Sequence, residues 1–213
     1  MEEIIYCKPG DIEKKSLEII GEELKRRDII LPREHEAVIR RVIHTTADFE
    51  YADTLCFSRD AVQRAEDLIR SGADIVTDTN MALAGINKRV LSHFGGEARC
   101  FMADAQVAAL ARERQITRAA VSMEFAARSE KPVIFAVGNA PTALIRLYEM
   151  IREGSYRPAF IIGVPVGFVN VVAAKERIME TEVPFIVNRG RKGGSTVAAA
   201  ICNALLYGLE RRE

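Results

Sequence analysis

A three-layer α/β/α sandwich with a mainly parallel sheet is the fold class this sequence predicts, and three observations predict it. Short runs of apolar and β-branched residues alternate with stretches of helical periodicity along most of the chain, the pattern of β-α-β units. The apolar runs read as strands buried on both faces, as they are when helices cover each side of a parallel sheet. Finally, 213 residues with 48% hydrophobic content suffice for one substantial core, and no low-complexity stretch or linker divides them. A single domain spanning residues 1–213 is expected.

Residues 1–10 read as a lead-in loop, after which Asp11 is placed to cap a helix carrying Ile12, Ile19, Ile20 and Leu24, with Ser16 at its middle. Pro32 then opens a second helix whose apolar stripe is Ala37, Val38 and Val42 and which delivers Arg40, Arg41 and His44. The alternation begins there. Residues 54–57 read as a strand, 59–71 as a helix stopped by Gly72, and 73–77 as a buried strand with Asp78 and Thr79 at its carboxyl end. A short helical turn through Met81 and Ala84 closes at Gly85, and residues 98–102 are the next strand. Helices are expected from Asp104 and from Thr117 to about Arg128, then a strand over 131–137 ending at Gly138. Strand 159–164, helix 168–179, strand 184–187 and a final Ala-rich helix complete the alternation.

Thirty basic and thirty acidic residues cancel, which removes the whole-chain electrostatic case for nucleic acid or an anionic membrane surface. The apolar runs are too short to span a bilayer and the first residues are acidic, so a soluble, cytoplasmic protein is expected. Cys7, Cys56, Cys100 and Cys202 are scattered without a Cys-x-x-Cys spacing or a nearby histidine. Buried reduced thiols are therefore expected, and no metal site.

The stretch from Arg40 to Asp48 concentrates the most chemistry. Arg41 and His44, three residues apart, share a helix face, and the hydroxyls after them can bond the frayed last turn. Two readings stay open here: a proton-transferring histidine beside cationic donors, or a C-terminal cap favoured by the helix dipole. His35, between two glutamates, reads as exposed, and His93 as a loop residue with no role.

Ligands of open parallel sheets bind beyond the carboxyl ends of the strands. Gly138-Asn139-Ala140-Pro141-Thr142 and Gly193-Gly194-Ser195 each precede a helix there, where free N–H groups favour carboxylates or phosphates. Thr117 and Arg118 add a further anion donor at a helix start, and Arg189 and Arg191 lie near the last turn. Lys192 precedes its glycine pair, so no phosphate-binding loop is formed, and neither a Gly-x-Gly-x-x-Gly nor a Gly-x-Ser-x-Gly sequence occurs.

Seven ordered segments are distinctive together: Lys15 to Ile20, Arg41 to Phe49, Asp78-Thr79-Asn80-Met81, Thr117-Arg118, Gly138 to Leu144, Gly163 to Val169, and Gly190 to Ser195. In these the chain resembles, nearly end to end, the precorrin-8X and cobalt-precorrin-8 methylmutases of cobalamin biosynthesis. The resemblance implies a flavodoxin-like fold, a homodimer and no external cofactor. It implies movement of a methyl group from ring carbon eleven to ring carbon twelve of a contracted tetrapyrrole, giving hydrogenobyrinate or cobyrinate. It also implies that His44 is the proton donor or acceptor and that Ser16 and Arg41 contact the substrate. Leu17, Ala82 and Ala47 stand where the family often has Phe, Val and Gly, and Ala173-Ala174-Lys175 replaces the commoner Glu-Ser-Lys. A methyl shift within one molecule requires the macrocycle held and one proton placed, which suits anion donors spread over a broad edge around a single imidazole. The partners expected are thus the corrinoid substrate and product. The alternatives are a tetrapyrrole carrier that does no chemistry and a nucleotide-binding flavodoxin-like protein.

Overall fold

The computed structural model describes residue 6 and residues 8–210. Cys7 and most of the expected lead-in lie outside the described residues. Pro9–Asp11 form a 3-10 turn in which Asp11 takes helical angles, so its carboxylate does not cap the helix after it. An N-cap needs an extended backbone, and the turn that Pro9 seeds removes it. Helix α1 runs Ile12–Arg26 and buries Ile20 and Leu24, while Ile12 and Ile19 remain exposed. Pro32 starts a turn rather than a helix: its carbonyl accepts the His35 N–H at 2.9 Å, and α2 begins four residues later, spanning Glu36–Thr46. Its buried stripe is Val38, Ile39, Val42 and Ile43, with Ala37 facing out.

After a one-turn helix α3 (Tyr51–Thr54) come β1 (Leu55–Phe57), α4 (Ala61–Arg70), β2 (Asp74–Thr77), α5 (Asn80–Gly85) and α6 (Lys88–His93). Next are β3 (Ala98–Arg99), α7 (Ala105–Glu113), α8 (Arg118–Ala126), β4 (Val133–Val137) and α9 (Pro141–Glu153). The chain closes with β5 (Phe160–Gly163), α10 (Val171–Met179), β6 (Phe185–Asn188) and α11 (Ser195–Glu210). Two helices, α3 and α6, go beyond the sequence reading, and His93 is the last residue of α6 rather than part of a loop. Helix α10 starts three residues later than the sequence reading, leaving Phe168 and Val169 in an exposed loop.

Among the described residues, six strands form one sheet in the order β1-β6-β5-β4-β2-β3. Only β1 is antiparallel to its neighbour. Counted without β1, the parallel strands run 2-1-3-4-5 across the sheet, the flavodoxin order. Alternate residues of each strand face opposite layers. Ile75, Ile134, Ile162 and Ile186 pack with α1, α2, α4, α5, α6 and α11, whereas Val76, Phe135, Ile161 and Val187 pack with α8, α9 and α10. The result is the expected α/β/α layering. Among the described residues no helix is long and apolar enough to cross a membrane. Cys202 is buried as expected, but Cys56 and Cys100 are half-exposed because each lies toward an edge of the sheet rather than in its core.

Candidate active site

Helix α2 ends in a way that frees its histidine. Ala47 turns into the left-handed region at φ +54° and donates its N–H to the Ile43 carbonyl. The Thr45 and Thr46 hydroxyls donate to the carbonyls of Arg41 and Val42, at 2.9 and 2.8 Å. The αL residue thus closes the last turn, while the threonine hydroxyls bond back to the turn before it. His44 Nδ1, by contrast, is buried with no hydrogen-bond partner among the described residues, leaving Nε2 as the nitrogen open to an incoming ligand.

One turn earlier, Arg41 reaches across to α1, where its guanidinium donates to Glu13 at 2.6 Å, and it lies 5.1 Å from the centre of the Tyr207 ring on α11. Ser16 stands one turn after Glu13 on α1. Arg40 does not project from the surface as an ordinary solvated arginine. It pairs with Glu36 at 2.7 Å, its guanidinium packs where a side chain on Gly21 would stand, and its Nε is buried without a partner among the described residues. Between α1, α2 and α11 lies a cleft of about 280 Å³ lined by Leu17, Arg33, Glu36, Arg40, Arg41 and Tyr207 among others. Cationic groups and one aromatic face dominate it. His35 is not exposed either: its ring stacks on Phe57 at 3.8 Å, and burial lowers its pKa against the pull of Glu34.

At the carboxyl edge of the sheet the turns meet one another. The switch point of the strand order falls between β2 and β4, where a flavodoxin-type fold offers N–H groups to a ligand. Here Asp78 takes them. Its buried carboxylate accepts from the backbone N–H groups of Gly138, Asn139 and Ala140 at 2.8, 2.8 and 2.6 Å. Burial raises the Asp78 pKa, and these three bonds oppose the rise. The Gly138 and Asn139 amides, read from the sequence as anion donors, are therefore engaged within the protein. Gly138 must lack a side chain, since a Cβ there would stand 2.7 Å from the Ser195 Cα. Ser195 bonds the Thr79 hydroxyl at 2.8 Å, so the turns after β2, β4 and β6 form one unit. Thr117 caps α8 through the Ala120 N–H and donates to Thr142 in the first turn of α9, which brings the exposed Arg118 beside the same edge.

The turn over residues 189–194 connects this edge to α2. Lys192 donates to Asp48 and to Glu50, both at 2.6 Å, just beyond the His44 helix. That bond lowers the Asp48 pKa and raises that of Lys192. Gly193 lies against the Val164 carbonyl at φ +153°, a place no larger residue fits. Beneath the turn, the fully buried Lys175 of α10 donates to the carbonyls of Gly190 and Lys192 at 2.9 and 2.7 Å. The structure therefore forms two groups, Ser16, Arg41 and His44 on the α1–α2 side, and Gly138, Asn139, Thr117, Arg118, Gly193, Gly194 and Ser195 at the strand ends. Lys192 joins them.

Sequence reasoning passed over Asp78, Arg33, Tyr207, Lys192 and Lys175 as site components. Asp78 left a signal, a carboxylate at a strand end opposite a Gly-Asn turn. Lys192 stands in a segment that carries the family resemblance and Lys175 is the lysine kept from its Glu-Ser-Lys, though neither had a role from the sequence, and Arg33 and Tyr207 act through contacts between distant segments and left no signal. No group of His, Cys, Asp and Glu able to hold a metal ion occurs among the described residues. What remains is one histidine with an open nitrogen, guanidiniums to hold carboxylates, and a hydroxyl-rich edge.

Comparison with known proteins bears on this arrangement. The family model described as precorrin-8X methylmutase matches residues 11–208. The cobalt-precorrin-8 methylmutase of Salmonella typhimurium is 47% identical over 94% of this chain and 96% of its own length. The precorrin-8X methylmutase of a Sinorhizobium species is 36% identical over 96% of this chain and 98% of its own. In structure, the precorrin-8X methylmutase of Thermus thermophilus superposes with a TM-score of 0.84 at 39% identity, covering 95% of this chain and 98% of that one.

Proposed function

Because the chain belongs to the precorrin-8X methylmutase family, and is thus a methylmutase isomerase of cobalamin biosynthesis, we propose that His44 gives and takes the proton of its reaction. The observation that carries this reading is the state of His44: a last-turn histidine one turn beyond Arg41, on a helix end closed by Ala47, with Nδ1 sealed and without a partner among the described residues. With Nδ1 sealed, Nε2 is the nitrogen through which the ring gives a proton to the macrocycle or takes one from it. Placing that proton on a ring nitrogen draws the conjugated system toward the rearranged product as the methyl group passes from carbon eleven to carbon twelve, and the proton then returns.

Arg41 and Ser16 hold the ring edge, and Arg33 and Arg40, lining the same cleft, receive peripheral carboxylates. Thr117, Arg118 and the 193–195 turn border the far side. With their amides committed to Asp78, Gly138 and Asn139 shape the edge rather than bind an anion through the backbone. The same commitment withdraws the Gly138, Asn139 and Ala140 amides from a phosphate, which disfavours the nucleotide reading. The substrate is the cobalt-bearing form in this proposal, supported by the 47% identity to a relative named for it against 36% to one named for the metal-free form. A homodimer belongs to the same reading: Phe168 and Val169, 81% and 79% exposed, supply apolar surface for a second copy to cover.

The visible spectrum of the tetrapyrrole during incubation tests the assignment. Folded His44→Ala protein is expected to bind substrate without converting it, and Arg41→Ala to convert it with a raised KM. Conversion by His44→Ala at the wild-type rate contradicts the reading, and binding without conversion by the wild-type protein would make it a carrier.

A further inference from the structure

Lys175 is a buried ammonium with no carboxylate partner among the described residues. It is fully inaccessible on α10, in a row with the core residues Val171, Ala174 and Ile178. A position serving only to fill that core would be occupied at less cost by methionine or leucine, because burying an unpaired charge is unfavourable. Burial indeed pushes the Lys175 pKa down to about 8. What the charge obtains is a pair of backbone carbonyls, those of Gly190 and Lys192. The Lys192 carbonyl also accepts from Asn188 Nδ2 at 2.9 Å, so two side chains fix it from within. Above the same residue, the Lys192 ammonium grips Asp48 and Glu50.

We propose that Lys175 is a positioning residue for the methyl transfer: by clamping the Gly190 and Lys192 carbonyls it sets the turn from which Lys192 anchors the segment after the His44 helix. A strut of three parts results, from the buried α10 through the turn to Asp48, four residues after His44. Loosening either end lets the end of α2 shift against the cleft. The same clamp seats Gly194, whose N–H donates to the Val164 carbonyl at 2.9 Å, and with it Ser195 against Thr79. The inference rests on the assignment of His44.

The experiment compares Lys175→Met, Lys192→Met, the double variant and His44→Ala by kcat and KM on the tetrapyrrole substrate, each on protein verified as folded. A displacement of about 1 Å at a reacting group costs on the order of 100-fold in rate. Each lysine variant is therefore expected to lose about that factor in kcat with a smaller change in KM, and the double variant to lose no more than the worse single one, since both cut the same strut. Losses that multiply in the double variant overturn the proposal. So does wild-type kcat in Lys192→Met, a half-exposed position whose replacement leaves the core intact and which decides the matter even if Lys175→Met does not fold. Wild-type turnover by His44→Ala instead removes the assignment beneath the proposal, a result separate from either lysine outcome.

Discussion

At the scale of single residues, the site rests on Arg41 and His44 at the end of α2 and on the buried Lys175 of α10, bonded to the carbonyls of Gly190 and Lys192. His44 and Arg41 stood out because a polar cluster at a helix end is visible as spacing, and the structure shows which partners they have. His35 reads as exposed and the setting of Arg40 is not legible for one reason: their surroundings come from elsewhere in the chain. Gly21 of α1 gives Arg40 a surface to lie on, and Phe57 of β1 gives His35 a ring to stack on. Lys175 was legible as the lysine kept from the family's Glu-Ser-Lys, but its role was not, because its acceptors are carbonyls, which every residue has. Its burial makes a prediction with a definite sign. Its pKa is about 8 in the folded protein against an ordinary 10.5, so between those values the unfolded chain holds more protons and stability rises with pH. The stability of the wild type relative to Lys175→Met is expected to climb by about 1.4 kcal/mol per pH unit over that window, about 3 kcal/mol in all. Chemical denaturation of both proteins from pH 7 to 10.5 measures it, and a flat or falling difference contradicts the burial of a charged amine.

At the scale of elements, the strands and most helices were legible because periodicity and apolar runs are local. Their ends were not. Pro32 read as a helix start yet begins a turn, and Pro9 seeds a 3-10 turn inside what read as a lead-in loop, since a proline fixes its own φ without dictating the conformation of the residues after it. Two element ends give predictions. Ala47 closes α2 at φ +54°, a conformation that penalises a Cβ. Ala47→Gly is expected to stabilise the protein by about 0.5–1 kcal/mol, raising Tm by about 2 °C in a chain of this size. A lowered Tm would mean that the αL cap is not under strain. Asp78 binds the start of α9 to the end of β2. Asp78→Ala orphans three backbone N–H groups and is expected to cost about 3 kcal/mol or more, read by urea denaturation. A cost below about 1 kcal/mol would show that water replaces the carboxylate.

At the scale of the whole molecule, the α/β/α class was legible in the alternation of elements, but the strand order was not, because pairing between distant strands leaves no local mark. The antiparallel edge strand β1 and the division of site residues between the helical cleft and the strand ends are likewise tertiary facts. They change the picture of a single anion-binding edge into two groups joined by Lys192. At this scale the proposal also predicts a dimer in solution that Phe168→Lys weakens, read by light scattering at several concentrations, with an unchanged mass contradicting that surface. Side-by-side turnover of the cobalt-containing and metal-free substrates tests the choice of macrocycle, and faster conversion of the metal-free form would reverse it. The most direct test of the central claim is the single-turnover rate of methyl migration in His44→Ala, verified as folded and saturated with substrate. Loss of the proton donor predicts a fall of about 100-fold or more with substrate still bound. A rate within a factor of about two of the wild type would show that the proton comes from elsewhere.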